Sequence, residues 1–317
     1  MERQVDILNG SLNSQLKYQV DGDPLGTTRV VMQDPEAIVK AYQGYIGVGC
    51  SILTTCTFQG STQAIQEDLG VSVDEAEHTI GRSVSLVREA IQRSAHEDQL
   101  NRNNPRTSRI LVAGSVGCYG AYLYDGSEFH GRYAETMSVE ELRDWHRPRV
   151  KCLVGAGCDV LAFETIPVQK EALALLQLLR EFPNTRAWLS FSCQDERDIA
   201  NQEPFAQAVA TCMARDSNCQ LVAIGINCCK PELVLPLLKS ASDSAPLRVP
   251  MVAYPDNSEL YSKADGKSAD PFGEYIKDWY RVGVRIMGGC CMVKPSDIAP
   301  MADVMASLSV QQSDSVG

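Results

Sequence analysis

Leu221-Val222-Ala223-Ile224-Gly225-Ile226-Asn227-Cys228 is apolar at almost every position before its last two residues, and a helical pattern, Pro231–Lys239, follows it. A strand that is apolar on both faces suits a parallel sheet covered by helices. Seven more short runs read the same way: Asp6–Leu8, Ser51–Phe58, Ile110–Gly117, Val160–Ile166, Ala187–Cys193, Pro250–Tyr254 and Val284–Cys290. Between them lie helical candidates at Pro35–Val48, Val73–Ser94, Val139–Gly155 and Val168–Arg180. Asp34 and Ser138 stand at N-cap positions, and Ser296 and Asp297 open a last helix after Pro295. Eight β-then-α units predict a (β/α)8 barrel. An open doubly wound sheet is the alternative. It would be favoured by a G-x-G-x-x-G turn after the first strand, and Asn9-Gly10-Ser11 lacks that spacing.

The chain has 317 residues, within the range of one barrel domain, and no linker composition divides it. A single domain is expected over residues 1–306, with a Ser/Gln/Val-rich tail, 307–317, that frays. The net charge of −11 and scattered Lys and Arg disfavour nucleic acid as a partner. No apolar stretch is long enough to span a membrane, and the polar N-terminus lacks a signal-peptide core, so a cytoplasmic location is expected. No obligate protein partner is evident, and a monomer is the milder expectation.

In a reducing compartment, the 12 cysteines are thiols rather than a disulfide framework. Most read as small buried hydrophobes, among them Cys50, Cys152, Cys158, Cys193, Cys212 and Cys219. Cys228, Cys290 and Cys291 differ, because they sit at the ends of the sixth and eighth strands on the rim where barrel active sites form. Two strands apart is roughly 9–10 Å at the backbone, a span that metal–sulfur bonds and side-chain reach can bridge. Three thiolates suit a soft divalent ion such as Zn²⁺, and a fourth position left open makes the site catalytic. Three buried thiols with no metal are the bland alternative. Cys229 lies just past the strand and opens the next helix.

Glu164, in Ala162-Phe163-Glu164-Thr165-Ile166, is a carboxylate inside an apolar strand, where a charge is costly unless paired. It either pairs with a buried Arg or receives a substrate ammonium. The histidines at 78, 96, 130 and 146 fall in helices or loops, as surface or packing residues. Without a general base near the thiols, sulfur activation is a better expectation than hydrolysis, and no catalytic side chain is expected beyond the metal-activated thiol.

The chain resembles the homocysteine S-methyltransferase family from its first strand to Gly288-Gly289-Cys290-Cys291. The resemblance is carried by Asp23-Pro24-Leu25, Thr54-Thr55-Cys56-Thr57-Phe58-Gln59-Gly60-Ser61, Ala113-Gly114-Ser115-Val116-Gly117, Tyr119-Gly120-Ala121-Tyr122-Leu123 and His146-Arg147-Pro148-Arg149. Phe163-Glu164-Thr165-Ile166-Pro167, Gly225-Ile226-Asn227-Cys228-Cys229 and Tyr254-Pro255 complete it. A G-x-N-C strand end with a downstream G-G-C-C is a specific pair.

The resemblance implies a zinc-dependent enzyme with Cys228, Cys290 and Cys291 on the metal, the homocysteine sulfur in the open position and Glu164 on the ammonium. Asn9, Gly10, Thr57, Phe58 and Asn227 are the further substrate-binding candidates. Gly-Ala-Tyr-Leu followed by Asp125-Gly126-Ser127-Glu128 looks most like branches that use a sulfonium donor, S-methylmethionine foremost and S-adenosylmethionine next, with methionine as product. Tyr119, Tyr122 and Phe58 are candidates to face the sulfonium, or to pack as ordinary aromatics. A selenol acceptor such as selenocysteine, or a non-catalytic zinc- or redox-responsive barrel, are the alternatives. Three departures stand out. Asn9 replaces an aspartate, keeping an acceptor and losing a charge; Leu12-Asn13-Ser14-Gln15-Leu16 replaces a small residue plus Thr-Glu-Leu; and Cys56 replaces Asn in a T-T-N-T run.

Overall fold

The computed structural model describes residues 5–16, 22–100, 110–257 and 272–314. Eight parallel strands follow one another around a barrel: β1 (Asp6–Ile7), β2 (Ile52–Thr54), β3 (Leu111–Gly117), β4 (Val160–Ile166), β5 (Ala187–Phe191), β6 (Leu221–Asn227), β7 (Met251–Tyr254) and β8 (Val284–Met287). They form one sheet in the order β1-β8-β7-β6-β5-β4-β3-β2. The remaining seam, between β1 and β2, is closed by a parallel bridge from Leu8 to Ile52. Ser51 N donates to Ile7 O at 2.8 Å and Asn9 N to Ile52 O at 3.2 Å across it. The expected (β/α)8 barrel is therefore the observed one, and the open-sheet alternative falls.

Closure at the other side of β1 rests on Gly288. A Cβ there would lie 2.7 Å from Leu8 O and 2.6 Å from Leu8 Cβ, so only glycine lets the end of β8 come this near β1. Inside the barrel Leu8, Ile52, Ala113, Ala162, Trp188, Ala223, Val252 and Ile286 form one apolar cluster. A larger cluster fills the layer between strands and helices, as the two-sided apolar strands require.

Helix starts follow the expected chemistry. Asp34 accepts from Ala37 N at 3.0 Å to cap the helix Pro35–Gly47. Ser138 and Glu141 form a reciprocal capping box at the helix Val139–Gly155. The helices Val73–Leu100 and Pro231–Ser244 run past their expected ends. The last helix spans Pro295–Asp314, so most of the segment expected to fray is helical, and residues 315–317 lie outside the described ones.

Several strands stop sooner than expected. β2 ends at Thr54 rather than Phe58 because side chains take over its pairing with β3. Ser115 N donates to Thr55 Oγ1 at 2.9 Å, and Thr57 Oγ1 donates to Ser115 O at 2.7 Å. β8 ends at Met287, before the double glycine, which leaves Cys290 and Cys291 in the loop beyond it. Among the described residues no helix is long and apolar enough to cross a membrane.

Candidate functional site

A cavity of about 160 Å³ opens at the C-terminal end of the barrel. Cys228, Cys290 and Cys291 line one part of it, with Glu164 as the sole carboxylate among the described residues of its wall.

The thiols converge because three neighbouring strands tie their ends together. Cys228 N donates to Tyr254 O at 3.2 Å, Cys290 N to Pro255 O at 2.8 Å, and Asn257 N to Cys291 O at 3.0 Å. Cys228 has φ 51° and Met292 φ 61°, left-handed conformations uncommon away from glycine and concentrated at functional loops. The Cys228 and Cys291 sulfurs are 3.6 Å apart, those of Cys290 and Cys291 4.0 Å, and all three lie within 4.8 Å of one another. Tetrahedral zinc with bonds of about 2.3 Å holds its sulfurs about 3.8 Å apart. The Cys228–Cys291 and Cys290–Cys291 spacings match such an ion, and the third is no more than 4.8 Å. Donation from the Cys228 thiol, first, and from Cys290 holds Cys291 below the usual thiol range. Cys229 is buried beside the trio and outside it, and burial pushes its thiol up.

Glu164 is 7% exposed, and both its oxygens have hydroxyl partners: Ser115 Oγ donates to one, and Tyr254 OH to the other at 3.1 Å. Tyr254 is steadied in turn by Trp188 Nε1 at 3.0 Å and Ser190 Oγ at 2.6 Å. Burial pushes the carboxyl above its usual range, against those hydrogen bonds and the nearby positive charge of Arg149. Among the described residues no cation hydrogen-bonds to Glu164. The buried Arg149 acts on this carboxylate through its charge alone, without a hydrogen bond.

Arg149 serves the rim from behind. Its guanidinium donates to Phe58 O at 3.0 Å, Thr57 O at 3.3 Å, Gly117 O at 2.5 Å and His146 Nδ1 at 3.1 Å. Because Arg only donates, Nδ1 is unprotonated and the His146 proton sits on Nε2, 2.8 Å from Glu171 Oε1. Glu171 also accepts from Tyr119 N at 2.7 Å and from Tyr133 OH. The fully buried chain Arg149–His146–Glu171 fastens the loops after β2 and β3 to the helices behind them.

Asn9 Oδ1 accepts from Thr54 N at 2.8 Å and Thr54 Oγ1 at 3.3 Å, while Nδ2 donates to Gly10 O at 2.8 Å. An N–H faces the carbonyl oxygen, so the amide orientation is fixed. The acceptor that asparagine keeps is spent on β2. Gly10, Phe58 and Asn227 line the cavity, whereas Thr57 is fully buried behind it. Asn227 clamps Thr165: Oδ1 accepts from Thr165 N and Nδ2 donates to Thr165 Oγ1, both at 2.7 Å, with Cys290 Sγ 4.0 Å from Nδ2. Tyr119 and Tyr122 pack with Trp145, at ring-centroid distances of 4.9 and 5.5 Å, and neither lines the cavity; Phe58 alone of the three aromatics does. The Arg149–His146–Glu171 chain was not foreseen, although the His146-Arg147-Pro148-Arg149 segment was its visible sign.

The homocysteine S-methyltransferase family model matches residues 6–305. A betaine-homocysteine S-methyltransferase of Drosophila melanogaster is 36% identical over 315 residues, covering 95% of this chain and 94% of the relative. A selenocysteine methyltransferase of Astragalus bisulcatus is 32% identical, with 95% and 92% covered. The crystal structure of the metallated homocysteine methyltransferase of Escherichia coli superposes with a TM-score of 0.82 at 33% identity, covering 96% of this chain and 97% of that one.

Proposed function

The chain belongs to the homocysteine S-methyltransferase family, and from that premise we propose that it is a zinc-dependent enzyme moving a methyl group from a sulfonium donor to the thiol of homocysteine, giving methionine. One observation carries the reading: three sulfurs spaced for one metal ion share a cavity with a buried carboxylate that no cation occupies. Cys228, Cys290 and Cys291 would hold the ion. When bound there, zinc supplies the positive charge that keeps a substrate thiol ionised near neutral pH.

The protein's own residues do the rest. Glu164 takes the ammonium of the acceptor and fixes its distance from the thiols, with Ser115 and Tyr254 holding the carboxylate in place. Asn9 presents an N–H rather than an acceptor. That leaves Glu164 as the sole carboxylate in the cavity wall, among the described residues, for the ammonium, and Asn9 suited to the acceptor's carboxylate. Gly10 and Phe58 shape the wall, Asn227 holds the turn between Glu164 and the thiols, and Thr57 supports it from behind. Burial of the cavity strengthens each of these contacts.

The test is zinc per chain together with methionine formed from homocysteine and S-methylmethionine, in the wild type and in Cys290→Ser. About one zinc and steady turnover are expected in the wild type, with both lost in the variant. Turnover undiminished in Cys290→Ser would sink the mechanism. A second reading changes the acceptor to a selenol and is favoured by the likeness to the Astragalus enzyme. Selenocysteine supplied in place of homocysteine separates the two by kcat/KM.

A further inference from the structure

A second cavity, of about 640 Å³, lies at the opposite end of the barrel. Its wall is drawn from the starts of the strands, among them Asp6 of β1, Ile52 of β2, Leu111 of β3, Val160 of β4 and Val222 of β6. It shares no lining residue with the cavity that holds the thiols. Small-molecule sites span roughly 300–1,000 Å³, so this one has the room. Barrel chemistry belongs to the other rim, and none of the roles above uses this end.

The cavity is apolar within and cationic at its mouth. Ile52, Val160, Trp188 and Ile286 belong to the apolar cluster inside the barrel, and Leu111, Val222 and Pro250 are half-buried beside them. Three arginines from three elements stand in the same wall: Arg88 on the helix Val73–Leu100, Arg186 just before β5, and Arg285 in β8. Two aspartates stand with them, and both are engaged. Asp159 Oδ2 accepts from Val112 N at 2.7 Å and meets Arg88 Nη2 at 2.9 Å, while Asp6 Oδ1 accepts from Ser51 Oγ at 3.0 Å. Arg285 donates through Nη1 to Tyr280 O at 2.9 Å and Val284 O at 2.8 Å, and its guanidinium lies 4.2 Å over the Tyr280 ring. That grip steadies the fork and leaves its other nitrogens for a ligand. Arg186 is exposed, with no hydrogen-bond or ion-pair partner among the described residues. An exposed arginine needs none in water; what singles this one out is its place beside two others over an apolar floor.

We propose that this cavity is a binding site for a small organic monoanion, a carboxylate carried on an apolar body. The planar guanidinium fork matches a carboxylate in two parallel hydrogen bonds. Three arginines against two aspartates leave the described wall with one surplus positive charge, which suits a monoanion better than a phosphate dianion. The net charge of the whole chain is −11, so this local excess is a place where an anion is drawn rather than repelled. The apolar floor takes the carbon body. Trp188 stands between the two cavities: it lines this one, and its Nε1 donates at 3.0 Å to the hydroxyl of Tyr254 in the wall of the other. Both can therefore be filled at once.

The experiment is isothermal titration calorimetry of the whole chain with 1-naphthoate, an aromatic monocarboxylate. One probe per chain is expected, with a Kd below about 1 mM, unchanged when homocysteine is present at saturation. The neutral 1-naphthylmethanol should bind about tenfold more weakly or worse, and acetate, which has the charge without the body, should give no saturable heat. Arg186→Gln should weaken naphthoate about tenfold, with Arg186→Lys between the two, because lysine keeps the charge and loses the fork. Neither variant should change the melting midpoint or methyl transfer, since Arg186 is exposed and far from the thiols. Absence of saturable naphthoate binding overturns the proposal. So does displacement of the probe by homocysteine, which would put it in the catalytic cavity. Equal affinity of naphthoate and naphthylmethanol, or of wild type and Arg186→Gln, overturns it as well, since the guanidiniums would then have no part in binding.

Discussion

Thr165 has φ 59°, a conformation that a β-branched residue adopts at a cost of roughly 1–3 kcal/mol. The two hydrogen bonds it shares with Asn227 hold it there, so β4 and β6 are locked together at the level of the cavity. The neighbouring Glu164 is thereby delivered to the cavity with its oxygens already engaged by hydroxyls. Glu164→Gln keeps the volume and loses the charge. Because a hydrogen bond to a charged group contributes about 1.5–3 kcal/mol, the homocysteine KM should rise roughly 10- to 100-fold. Thermal stability should hold or improve, since a buried carboxylate is replaced by an amide. Titrating homocysteine at saturating donor measures the first effect, and a melting curve measures the second. At this scale the thiol trio and Glu164 were legible in the sequence, because both break an apolar strand pattern at its end. The use of the Asn9 acceptor was not, since nothing in the order of residues says that Thr54 N would be the donor it meets.

Among elements, the helix Val139–Gly155 does more than cover the barrel. His146 and Arg149 lie on its buried face, one turn apart, and through them the loops after β2 and β3 share a single anchor. Burial, foremost, holds His146 below its ordinary pKa of 6.5, despite the opposing pull of Glu171. The sign follows: below pH 6.5 the unfolded chain takes up a proton that the folded one refuses, so His146 favours folding above that pH and costs stability as the pH falls. The slope approaches about 1.4 kcal/mol per pH unit for one such group. Urea midpoints between pH 7.5 and 5.5 should fall more steeply in the wild type than in His146→Gln; parallel curves would refute the role. Helix caps at Asp34 and Ser138 were readable because capping chemistry is local. The premature end of β2 was not, since it depends on hydroxyls of Thr55 and Thr57 meeting a strand nearly sixty residues away.

For the whole molecule, the eightfold alternation of apolar runs and helical patterns sufficed to expect the barrel, because each parallel strand needs its own covering helix. Closure is a different matter. It depends on how near β8 can come to β1, which one glycine decides, and on the Leu8–Ile52 bridge across the β1–β2 seam, rather than on any periodicity. The thiol trio has a global side as well. Cys228 and Cys290 are sixty-two residues apart in sequence and β7 runs between them, so an ion held by both is a cross-link around a long segment. Tying off a loop of that length removes about 4 kcal/mol of chain entropy from the unfolded state on the loop-closure model. A chelator should therefore lower the melting midpoint by several degrees in the absence of any substrate, and have no further effect on Cys290→Ser. On that reading the metal site is also a fastener, and stripping it would slacken the sector of the barrel from β6 to β8 before the rest of the ring gives way.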